Sequence, residues 1–138
     1  MGLVIEPHHN PQAAADRKAL HRECAKWAKF WLKRLLIPEY WNIYIEILPG
    51  VQEGEAWSME THSNPSYNHA IIRVQPNVEL DDVPWMLLHE MLHVVQCRWE
   101  ATEEQRTEME SVTSHLTSVI WSMYKSGNKA TEKATKKE

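Results

Sequence analysis

The sequence predicts an α+β fold: an N-terminal helix, a three-stranded antiparallel sheet, and two further helices. Three observations predict it. Apolar residues recur at helical spacing over 20–35 and again over 109–123. They alternate at period two over 40–48. The segment 85–99 is apolar almost all round, which suits a helix buried in the middle of a domain. The 138 residues fit one domain, expected over 1–125, with a disordered tail over 126–138.

Taken in order, residues 1–9 carry no periodicity and read as a loose arm. Asn10 then serves as N-cap, with Pro11 at the first helical position. Leu20, Cys24, Trp27, Trp31 and Leu35 form the apolar stripe of this helix, and Pro38 closes it near Ile37. The first strand, 40–48, sets Trp41, Ile43, Ile45 and Ile47 on one face. Pro49-Gly50 marks a turn. A weaker strand over 56–61 has Trp57 and Met59 on one face. A second turn at Ser63-Asn64-Pro65-Ser66 leads to a third strand, 69–75, which opens at His69 and closes at Gln75 before Pro76. Short, turn-rich connections favour an antiparallel meander. Asp81 or Asp82 caps the next helix, with Pro84 in its first turn. Thr102-Glu103-Glu104-Gln105 fits a capping box. Met109, Val112, Leu116, Val119, Ile120 and Met123 then make the last apolar stripe, and Gly127 ends that helix.

Composition bounds the function. Hydrophobic residues are 43% of the chain, enough for a packed core. With 15 Lys+Arg against 19 Asp+Glu the net charge is -4, and no long basic run favours nucleic acid as partner. No apolar run reaches the ~18 residues of a membrane span, and the first residues do not resemble a signal peptide. Cys24 and Cys97 read as free thiols in a reducing compartment, so a cytoplasmic location is expected. The seven Trp serve the core, because a stacking platform would want a basic groove beside it.

Within the buried helix stands His89-Glu90-Met91-Leu92-His93, an H-E-x-x-H motif. Residues four apart share a helix face, so both imidazoles can meet one ion. Zinc takes His nitrogen at about 2.0–2.1 Å. Glu90 lies beside the first ligand and can reach a metal-bound water without binding the metal. A catalytic zinc usually has a third protein ligand. In an antiparallel pair of helices turning near 100–103, Glu110 stands level with His93, about 10 Å from the turn. Glu108 falls about 3 Å short of that level but borders the apolar stripe more closely. Glu110 is the preferred third ligand and Glu108 the alternative. His8, His9, His21 and His62 read as solvated, and His69 and His115 as structural.

The motif followed by a helical Glu resembles the gluzincin-type metallopeptidases. More closely, the chain is similar to the small zincin-like metallopeptidases encoded by phages and prophages. Residues 110–116, Glu110-Ser111-Val112-Thr113-Ser114-His115-Leu116, resemble their ligand helix. Ser114 stands where many gluzincins carry Asp or Asn, a departure that touches the orientation of the histidine ligands. The resemblance covers about residues 40–123, and its sharp part is H-E-x-x-H. It implies a minimal zincin-like core and a zinc-dependent peptidase, active in the host cytoplasm if phage-encoded. One Zn²⁺ per chain would be held by His89, His93 and Glu110, with Glu90 as catalytic base. It also implies that a peptide substrate adds as an antiparallel strand to an edge strand, which here would be 69–75. The alternative expectation is a non-catalytic or regulatory protein-binding module on the same scaffold, its metal structural or absent.

Overall fold

The computed structural model describes residues 11–52, 54–97 and 103–137. The arm expected over 1–9, the Asn10 cap and the start of the Thr102 capping box lie outside them. By internal contacts the chain divides into two units, Met1–Arg98 and Trp99–Glu138.

In the first unit, α1 runs Pro11–Arg34 and buries Leu20, Cys24, Ala28 and Trp31, a helical stripe. The Trp31 indole donates to the carbonyl of Pro84 at 2.8 Å and so ties α1 to the start of α2, Val83–Gln96. The helix stops at Arg34, before Pro38 is reached. Ile37 N–H bonds the carbonyl of Leu32 and Leu36 N–H that of Lys33. Leu36 has φ 56, so these are the two closing bonds of a Schellman motif, with buried Ile37 beyond it.

The strands are β1, Asn42–Ile47, β2, Met59–Asn64, and β3, His69–Val74. Their order in the sheet is β1-β3-β2. β2 and β3 pair antiparallel, but β1 and β3 pair parallel, with Asn42 opposite His69 and Ile47 opposite Val74. The sheet is therefore mixed, which corrects the expected antiparallel meander. Pro49-Gly50 begins a crossing loop over 48–58 rather than a hairpin. The tight turn is the later one, where Tyr67 N–H bonds the carbonyl of Asn64 and Asn68 takes φ 50.

β3 has the most apolar strand sequence and takes the centre, a position buried by neighbours on both sides. Ala70, Ile72 and Val74 are fully buried. By register they share a face with Ile43, Ile45 and Ile47 of β1 and with Met59, Thr61 and Ser63 of β2. Helices cover this face: α1 lies on β1, α2 lies on β2, and the helices pack on each other. The opposite face carries Tyr44, Glu46, Glu60, His62, His69 and Arg73. There the rings of Tyr44 and His69 meet edge to face at 5.1 Å.

A 3₁₀ turn, Leu80–Asp82, leads into α2. Asp82 stands at the N-cap but makes no side-chain capping bond. Its carboxylate accepts from the Trp85 indole at 3.2 Å instead. α2 buries Leu87, Leu88, Met91, Leu92 and Val94, while Trp85 and Val95 remain exposed.

The second unit contains α3, Glu103–Lys137. It continues through Gly127, where a stop and a disordered tail were expected. A helix-interior glycine costs only about 1 kcal/mol, and the Lys, Ala and Glu that follow favour helix. Thr113 and Thr117 satisfy their hydroxyls on carbonyls one turn back, Met109 and Thr113, each at 2.7 Å. No helix among the described residues is long and apolar enough to cross a membrane.

Candidate metal centre

α2 brings together the three motif residues. His89, Glu90 and His93 each offer one ligand atom, and these atoms lie within 4.8 Å of one another. The two imidazoles reach the same point from adjacent helical turns. Their Nε2 atoms are 3.2 Å apart and their ring planes are inclined at 77°. That separation tests the fit to a metal. Two nitrogens bound to one zinc at tetrahedral angles stand about 3.3 Å apart. The imidazoles stand close to the spacing an ion would impose, which is also hydrogen-bond distance between the two rings.

Both histidines are half-buried, whereas Glu90 is 7% exposed. A carboxylate at that depth is costly without hydrogen bonds. One comes from the sheet: the Thr61 hydroxyl donates to Glu90 Oε2 at 2.6 Å. This lies at the short end of the O–H···O range. Among the described residues no buried side-chain polar atom lacks a partner.

Thr61 was not among the sequence-derived site residues. The signal for it was period two: Thr61 follows Met59 by two, so both face the helices. That α2 would set Glu90 opposite Thr61 is tertiary information, which no local pattern contains. The same parity rule places His69 on the opposite face, against Tyr44, away from the motif residues.

Glu110, the expected third ligand, belongs to α3 in the second unit. It is exposed, beside Arg106, Ser111 and Ser114 on its own helix. Glu108 is exposed on α3 as well.

The strand expected to take a peptide, 69–75, is not an edge. β1 and β2 occupy both of its sides, so no ladder positions remain for an added chain. The open edges belong to β1 and β2. On β2, Gln75 N–H bonds the carbonyl of Ser58, which fixes the antiparallel phase. The backbone N–H and C=O of Met59, Thr61 and Ser63 therefore point away from β3, to the outer edge.

No protein-family model, curated protein or solved structure matches this chain.

Proposed function

We propose that the chain is a zinc-dependent peptidase. The observation that carries the reading is the His89–His93 pair, set at zinc spacing beside a buried, hydrogen-bonded carboxylate. His89 and His93 would hold the ion, and Glu110, or Glu108 in its place, is the third ligand the sequence expects. Zinc, when bound, acidifies a coordinated water and polarises a carbonyl oxygen. Glu90 takes the proton of the attacking water at Oε1, the oxygen that Thr61 does not hold, and delivers it to the leaving nitrogen. The protonated amine leaves and the carboxylate is restored. A peptide lying along the outer edge of β2 would pair with the backbone of Met59, Thr61 and Ser63. It would then pass beside the strand residue that touches Glu90.

The test combines elemental analysis with hydrolysis of a mixed fluorogenic peptide library. The native chain should hold about one zinc and cleave the library. His89→Ala should lose the metal. Glu90→Gln should keep the metal and lose at least about a hundredfold in rate. Glu110→Ala and Glu108→Ala, compared for zinc affinity, identify the third ligand. Hydrolysis that survives Glu90→Gln overturns the mechanism. One zinc per chain with no cleavage would support the non-catalytic scaffold instead.

A further inference from the structure

Zinc accepts carboxylate oxygen as a ligand, at about 2.0–2.2 Å, as well as imidazole nitrogen. Glu90 offers an oxygen within 4.8 Å of the histidine donors, so a change of rotamer would make it a ligand. A carboxylate bound to the ion is no longer a base. The motif by itself therefore leaves Glu90 two fates, and something outside α2 must choose between them.

We propose that Thr61 makes that choice: its hydroxyl holds Glu90 beside the ion and off it. Thr61 is in this sense a positioning residue, and the inference rests on the peptidase reading above. Three observations carry it. The bond from Thr61 to Glu90 Oε2 is short, 2.6 Å, and joins residues 29 apart in sequence. Thr61 sits within β2, paired across to Ile72, and cannot follow a swing of the glutamate. Its β-branched side chain has few χ1 states, so the hydroxyl direction is fixed by the strand.

The experiment is cobalt(II) substitution of the full chain, read by visible absorption, in parallel with zinc content and peptide hydrolysis. It compares the native chain with Thr61→Val, Thr61→Ser and Thr61→Ala. Valine keeps the branched shape and removes the hydroxyl, and serine does the reverse. Thr61→Ser should match the native cobalt spectrum and keep kcat within about threefold. Thr61→Val should gain a carboxylate ligand, seen as a changed visible spectrum. Its kcat should fall roughly tenfold or more with KM little changed. Thr61→Ala repeats the hydroxyl loss should valine disturb the fold. A role in packing alone predicts the opposite ranking, with valine native-like and serine impaired, and would overturn the proposal. A native spectrum in both Thr61→Val and Thr61→Ala would overturn it too. Metal uptake without hydrolysis would remove the peptidase reading alone, since the cobalt spectrum still decides the role of Thr61. No metal uptake by the native chain would remove both.

Discussion

Leu36 is the residue whose chemistry fits its position least. It holds φ 56 at the close of α1 and is 85% exposed. An L-residue pays about 1–2 kcal/mol in the left-handed region, where glycine pays little. Leu36→Gly should raise stability by about 1 kcal/mol, measured by urea unfolding. Cys24 makes a second residue-scale prediction. Burial, with a smaller contribution from Glu23, pushes its thiol from the ordinary 9.0 up to about 12. The folded chain then keeps a proton that the unfolded chain releases. Stability should be fully present below pH 9 and fall as pH rises towards 12, an effect Cys24→Ala would remove. At pH 8, iodoacetamide should modify Cys24 only in unfolded protein. The approach of His89 to His93 was legible at this scale because helical geometry alone places positions four apart together. Thr61 was not, because its importance comes from a partner on another element.

Among the elements, β3 separates two kinds of isoleucine. Ile72 is fully buried between sheet and helices, while Ile71 lies on the other face and is half-buried. Ile72→Ala should cost about 2–5 kcal/mol and Ile71→Ala about 1 kcal/mol, by thermal or urea unfolding. If both cost the same, the assigned faces are wrong. β1, β3 and the stripes of α1 and α3 were readable from their periods and α2 from its all-round apolarity, but β2, Met59–Asn64, starts three residues later than the strand expected over 56–61 and runs into the expected turn. Strand order was not readable, since alternation names a face but not a neighbour. A loop long enough to cross the sheet, 48–58, and a turn tight enough for a hairpin, 65–68, look alike as runs of Pro, Gly, Asn and Ser. Gly127 was misleading for a related reason: glycine ends a helix only where a left-handed residue is needed, and here the helix goes on.

At the scale of the whole molecule, charge is uneven in a chain of net -4. The α1 surface carries Lys18, Arg22, Lys26, Lys29 and Lys33, and the 100–110 stretch carries five glutamates. If His89 and His93 hold the proposed ion, removing it should destabilise the first unit by an amount that grows with the logarithm of the affinity, because an ion that binds only the folded state shifts the folding equilibrium. Chelation by EDTA should lower the melting temperature of the native chain and leave that of His89→Ala unchanged.

The mixed sheet also sets a timetable. β2 and β3 are joined by a four-residue turn, so their pairing closes a short loop and can form in microseconds. The parallel pairing must bring Asn42 to His69, a longer closure, and is expected to follow the hairpin. Changes in the turn, such as Asn68→Gly, should therefore act on the rate of folding. Trimming Ile43→Val on β1 should act mainly on the rate of unfolding. Stopped-flow chevrons of the two variants would show the order in which the sheet is laid down. The strand that completes the sheet during folding would be the first one synthesised.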